Sequence, residues 1–80
     1  MPRQPAERGK RMTNRQFAEA IGVTESYASL IRGGKRLPGA PALAEMVHAF
    51  DLDANELVQA YRRGASDLAQ FLEDHLPRVE

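Results

Sequence analysis

The sequence contains no cysteine among its 80 residues. A disulfide framework, a thiolate metal site and a thiol nucleophile are therefore excluded. The sequence also lacks any apolar run near the roughly 18 residues that cross a membrane. The charged residues at the N-terminus are not followed by an apolar stretch, so we expect no secretory signal. Together these absences predict a cytoplasmic protein.

Net charge is also absent, because 11 basic residues balance 11 acidic ones. The distribution is nevertheless uneven. Residues 1–38 carry eight basic side chains against three acidic ones, a net charge of +5, and residues 39–80 carry the opposite charge, −5. A chain polarised in this way can present a positive face to phosphates and turn an acidic face away. Chance clustering is the alternative interpretation.

The sequence has no strand pattern of any length, and helix boundary signals dominate it. Five or six short helices are predicted, at residues 6–11, 14–22, 25–32, 41–50, 54–63 and 67–76. Thr24, Asp53 and Ser66 are predicted N-caps, and Thr13 or Asn14 caps the helix before Gly22. Glycines end several helices, at Gly22, Gly33-Gly34 and Gly64. The fold class is therefore all-α, a compact bundle.

Apolar side chains recur at helical spacing and predict the core. The fourth and fifth predicted helices carry an inward-facing stripe each. The members are Leu43, Met46, Val47 and Phe50 in the fourth helix, and Leu57, Val58 and Tyr61 in the fifth.

Two of the helices meet across a turn at Gly22-Val23-Thr24. Ala18 on the first helix faces a second helix that carries Ala28 and Ile31. A steep crossing with a short turn needs small or medium apolar side chains at the contact and a glycine nearby. The pattern therefore predicts two helices packed closely through these residues.

The ungapped stretch from Thr13 to Arg36 resembles the phage repressor and Cro-like helix-turn-helix family. Pro38, Leu43, Leu52 and Glu56-Leu57 resemble parts of that family's fourth and fifth helices, so the resemblance covers roughly residues 8–63. It implies a helix-turn-helix DNA-binding domain over residues 1–64, followed by an extra C-terminal helix within residues 65–80. The implied function is sequence-specific binding of double-stranded DNA by a transcriptional regulator.

The resemblance also assigns positions at the DNA. It places four residues against base edges in the major groove: Glu25, Ser26, Ser29 and Leu30. It places five residues against the DNA backbone: Asn14, Thr24, Tyr27, Lys35 and Arg36. The residues themselves add two more backbone candidates, since Arg15 is basic and Arg32 turns outward when Ala28 and Ile31 turn inward.

Several of these residues have a second interpretation. Ser26, Ser29, Lys35 and Arg36 are alternatively ordinary solvated side chains. Glu25 stands in the first turn of its helix, where a carboxylate also stabilises the helix dipole. Tyr27 is either a partly buried core aromatic or a phosphate contact.

The last predicted helix carries an apolar face whose use the sequence leaves open. Its members are Leu68, Phe71, Leu72 and Leu76. They form either the seam of a two-fold homodimer or a surface that folds back on the fifth helix. In the second case they replace the packing of the short first helix predicted at residues 6–11. Homodimerisation is the preferred prediction, because recognition helices about 34 Å apart are needed to read a palindromic operator. A monomer that pairs only on DNA is the alternative.

No residue pattern indicates catalysis, so we predict that the chain is not an enzyme. His48 and His75 have no partner at metal-ligand spacing, and we expect no metal, no cofactor and no small-molecule effector. Two other functions stay open. One is a DNA-binding antitoxin whose acidic half contacts a toxin, and the other is a protein-interaction module built on the same fold. The sequence names neither the operator nor the regulated gene.

Overall fold

The structure is a computed structural model that describes residues 11–78. All regular structure in this range is helical. The five helices are α1 (Asn14–Ile21), α2 (Glu25–Arg32), α3 (Ala40–Phe50), α4 (Ala54–Arg63) and α5 (Ala65–His75). None of these five is both long and apolar enough to cross a membrane. The all-α fold class is confirmed. The helix predicted at residues 6–11 lies outside the described residues apart from Arg11, which is not helical.

Thr13 fixes the start of α1. Its hydroxyl accepts a hydrogen bond from the Gln16 amide at 3.0 Å, and the Gln16 side chain accepts one from the Thr13 amide at 2.8 Å. This reciprocal capping box satisfies two amides that the helix itself leaves without partners. At the other end Gly22 adopts a left-handed conformation, with φ 76°, and its amide bonds to the Ala18 carbonyl. The predicted boundaries of this helix are therefore confirmed.

A turn of three residues separates α1 from α2. Thr24 caps α2, because its hydroxyl accepts a hydrogen bond from the Tyr27 amide at 3.1 Å. The two helices pack on each other, and α1 also packs on α3. Ala18, Ala28 and Ile31 are all buried in this region, as the sequence predicted.

The later helices follow their predicted signals with one exception. Pro41 lies in the first turn of α3, and the Asp53 side chain caps α4 by accepting from the Glu56 amide at 3.0 Å. The predicted N-cap Ser66 is wrong. Helix α5 begins two residues earlier than predicted, at Ala65, and Gly64 with φ 125° serves as the boundary of both α4 and α5. This glycine, with its positive φ, joins the two helices so closely that Ser66 falls inside the first turn of α5.

The core is formed by apolar side chains from all five helices. The largest fully buried side chains are Phe17, Ile31, Met46, Leu57, Leu68, Leu72 and Pro38. The predicted inner face of α4 needs a correction, because Val58 is 49% exposed while Ala60 is fully buried. The inner stripe runs from Leu57 to Ala60 and Tyr61, at i, i+3 and i+4, so Val58 faces outward.

Helix α5 folds back on its own chain and packs on both α4 and α2. Leu68, Phe71 and Leu72 are between 0% and 8% exposed, and Leu76 is half-buried against the same core. Side chains that are covered this fully leave little area for a second copy. The structure therefore shows the fold-back packing of these side chains, and homodimerisation stays a prediction.

Candidate nucleic-acid interface

The outer face of α2 is exposed and consists of short or polar side chains near its N-terminal end. Ala28 and Ile31 are fully buried, so the helical period turns the opposite side of α2 outward. The exposed members are Glu25, Ser26, Ser29 and Leu30, the four residues predicted to contact bases.

One open depression brings these four residues together with α1. It is lined by Asn14, Glu25, Ser26, Ser29 and Leu30. Asn14 is the first residue of α1, so the start of this helix lies beside the outer face of α2. The structure thus places one predicted backbone contact next to all of the predicted base contacts. We call this surface the α2 face.

A second open depression continues the α2 face towards the chain segment before α1. It is lined by Arg11, Met12, Thr13, Asn14, Ser29, Arg32 and Gly33. Asn14 and Ser29 line both depressions, which makes the surface continuous. Arg11 therefore lies at the edge of the α2 face, a position that the sequence did not predict.

Arg15 and Thr24 lie in different local settings. Arg15 is exposed and forms an ion pair with Glu19 at 3.4 Å, one helical turn further along α1. An exposed pair of this kind contributes little to stability, so the guanidinium can exchange its partner readily. Thr24 is exposed, but its hydroxyl is occupied as the acceptor that caps α2.

Arg32 does not point outward as predicted. Its guanidinium donates a hydrogen bond to the Met12 carbonyl and lies 5.5 Å from the centre of the Phe17 ring. Burial lowers the pKa of Arg32, because desolvation disfavours the charged form; the Glu73 carboxylate opposes that shift and the Arg11 charge adds to it. Arg32 therefore joins the end of α2 to the segment before α1 rather than serving as a free surface cation.

Tyr27 is half-buried and connects α2 to the basic loop that follows it. Its hydroxyl accepts a hydrogen bond from the Gly39 amide at 3.1 Å. The Arg36 guanidinium lies 5.2 Å from the centre of the Tyr27 ring, within the range of a cation–π contact. Tyr27 is therefore a partly buried aromatic that also contacts Arg36, and its contact with a DNA phosphate stays a prediction.

The loop itself presents two cations. Lys35 and Arg36 are both exposed. Gly34, with φ 74°, bends the chain between α2 and this loop, and a Cβ placed there would lie 3.3 Å from the Ser66 Cα. The close approach fixes the start of the loop against the first turn of α5.

Sequence reasoning missed two residues at the edge of the α2 face, Arg11 and Glu73. The Arg11 guanidinium bonds to the Glu73 carboxylate at 2.6 Å across 62 positions of sequence. The fold-back of α5 brings these two residues together, so no local sequence pattern predicts the ion pair.

His75 takes part in local contacts on α5, whereas His48 is exposed on α3. His75 Nδ1 lies 2.8 Å from the Phe71 carbonyl, and the two rings stack at 4.1 Å. Within residues 11–78 no group of three His, Asp or Glu side chains is placed to hold a metal ion. Comparison of this chain with protein-family models, with curated proteins and with solved structures found no match.

Proposed function

We propose that this chain binds double-stranded DNA sequence-specifically through a helix-turn-helix formed by α1, the turn at residues 22–24, and α2. In this proposal α2 is the recognition helix and enters the major groove, and the protein is a small Cro-like transcriptional regulator. The observation that carries the proposal is the α2 face. One side of a short helix is fully buried while four exposed side chains and Asn14 share one open surface.

The chemistry of these side chains suits base edges. Ser26 and Ser29 are short, so they allow the helix to approach closely, and each hydroxyl can donate or accept a hydrogen bond. Glu25 can accept from the amino group of cytosine, and Leu30, which is 41% exposed, can contact a thymine methyl group. The four side chains thus offer a donor and acceptor pattern together with one apolar contact.

Cations around this face suit the phosphates. Arg15, Lys35 and Arg36 are exposed and lie on α1 and on the loop after α2. They would supply the salt-dependent part of the affinity. We leave Arg32 out of this set, because its guanidinium is engaged with Met12 and Phe17.

A palindromic operator would be read by two copies whose recognition helices lie about 34 Å apart. Because the apolar side chains of α5 are covered within their own chain, we propose that two copies pair on adjacent half-sites rather than through Leu68, Phe71 and Leu72. Sedimentation with and without the operator duplex tests this, and a stable dimer in the absence of DNA would contradict it.

The decisive experiment is a selection of bound sequences from random duplex DNA at about 150 mM salt. We expect a palindromic motif for the natural sequence. The S26A/S29A double variant should lose preference at specific positions of that motif while retaining much of its affinity for random DNA. Q59A, at an exposed position on α4, is the control and should select the natural motif.

Two results would count against the proposal. If the natural protein enriches no sequence and binds random duplex no better than a protein without DNA-binding activity, the chain is not a DNA-binding regulator. That result would favour the interaction-module interpretation. If S26A/S29A selects an unchanged motif, DNA is bound through a different surface.

A further inference from the structure

Arg11 is the one cation at the edge of the α2 face that is paired with an acidic group from a distant helix. Its guanidinium bonds to Glu73 on α5 at 2.6 Å. Arg15, an exposed cation on α1, is paired with a residue of its own helix at the longer distance of 3.4 Å. The acidic C-terminal half therefore reaches the basic surface at this single described ion pair.

The position of Arg11 makes it a candidate for phosphate contact. It lines the same depression as Asn14 and Ser29, which also line the α2 face. Its side chain is 63% exposed, so it can turn towards a ligand on that surface without disturbing buried packing. Glu73 is 35% exposed and also attracts the partly buried Arg32 guanidinium, which is engaged with Met12 and Phe17.

We infer that Glu73 occupies, on Arg11, the place that a DNA phosphate takes in the complex, and so weakens phosphate binding at this edge of the interface. The inference rests on the proposed function, because it needs DNA to lie on the α2 face. Glu73 is a positioning residue in this scheme, since it acts through Arg11 and does not itself contact DNA.

The exchange is feasible because an exposed ion pair contributes little to stability, so a phosphate can displace the carboxylate. The displaced Glu73 then carries an uncompensated charge and attracts a cation from solution. Binding of DNA releases cations from the phosphates, and this uptake at Glu73 cancels part of that release. The carboxylate thus lowers both the affinity and the salt dependence of binding.

The test compares two variants that remove the same charge from α5. E73Q removes the carboxylate that faces Arg11, and D74N removes the adjacent one, which is exposed and accepts a hydrogen bond from Gln70 at 3.0 Å. The probe is a random-sequence duplex, titrated by fluorescence anisotropy between about 50 and 200 mM salt. We expect E73Q to bind about two- to fivefold more tightly than the natural protein, the size of an exposed ion pair. Its log–log salt slope should steepen by up to about one.

D74N should change affinity and slope much less, because its carboxylate does not face Arg11. In an R11A background E73Q should bring no gain, since the guanidinium that it frees is missing. Thermal unfolding followed by circular dichroism, run on each variant, identifies any variant that is partly unfolded during the titrations. R11A/E73Q is compared with R11A alone.

The inference is overturned if E73Q binds no more tightly than the natural protein, if D74N gives the same gain, or if the gain persists in the R11A background. In each of these cases the natural protein still binds the duplex. Failure of the proposed function looks different, because the natural protein then shows no salt-dependent binding to compare.

Discussion

Helices α2 and α5 use their surfaces in opposite ways, although they pack against each other. Helix α2 buries only Ala28 and Ile31 and leaves its N-terminal outer face exposed. Helix α5 buries Leu68, Phe71 and Leu72 and leaves mostly acidic and polar side chains outside. Helix α2 is held by two buried side chains, and its outer face stays exposed. Helix α5 contributes three buried side chains to the core on which α2 packs.

The contrast follows the charge division of the chain. Among the described residues of the first half, Arg32 lies on α2 and Lys35 and Arg36 lie on the loop after it, whereas α5 carries three acidic residues of the second half, Asp67, Glu73 and Asp74. The two helices contact each other where Gly34 meets Ser66 and where Arg11 meets Glu73. A helix of the basic half therefore packs on a helix of the acidic half, in a molecule without net charge.

The largest effect should come from a cavity in the scaffold helix. Leu68 is 0% exposed, and L68A should lower the free energy of unfolding by about 2–5 kcal/mol, because a buried leucine truncated to alanine loses contacts and leaves a void. V58A, which removes an apolar side chain that is 49% exposed, is the control and should cost well under about 1 kcal/mol. Urea unfolding followed by circular dichroism measures both.

This pair also sharpens the question of the dimer seam. If Leu68 belonged to a seam between copies, the effect of L68A would depend strongly on protein concentration. A stability loss that is the same at low and high concentration supports the intrachain core. A loss confined to the association step would contradict it.

The next effect concerns the basic loop beside α2. K35A/R36A should weaken binding to all duplexes by about 10- to 100-fold at 0.1 M salt and flatten the salt slope by up to about two, if each cation contacts one phosphate. R62A/R63A removes the same charge from exposed positions on α4 and should leave the slope unchanged. Equal losses in the two variants would mean that only total charge matters and would remove this loop from the interface.

Local signals in the sequence predicted most of the fold. Threonine and aspartate at the N-caps, and glycine at Gly22, place helix ends within a residue or two, because each supplies a hydrogen bond or a backbone conformation that the boundary requires. Ser66 shows the limit. A nearby glycine, Gly64, can serve as the boundary itself, and a serine two positions later then loses its capping role.

The surface was less predictable because it depends on contacts between distant segments. Helical period placed Glu25, Ser26, Ser29 and Leu30 outside correctly. The helical period gave the wrong direction for Arg32, the last residue of α2, because its long side chain reaches back to Met12 and Phe17. The choice for α5 between a seam and a fold-back needed tertiary information, since both arrangements bury the same apolar face.

The smallest effect isolates the junction between α2 and α5, and two glycines provide a matched pair. Gly22 and Gly34 have φ values of 76° and 74°, so an alanine at either is strained by about 1–2 kcal/mol. A Cβ at Gly22 meets no atom within 4 Å, whereas one at Gly34 lies 3.3 Å from the Ser66 Cα on α5. G34A should therefore be less stable than G22A by about 1 kcal/mol, the cost of one methyl group forced into a packed contact. Urea unfolding of the two variants under one set of conditions gives this difference directly. Equal stabilities would show that α5 yields at this point and that the loop carrying Lys35 is not fixed by it.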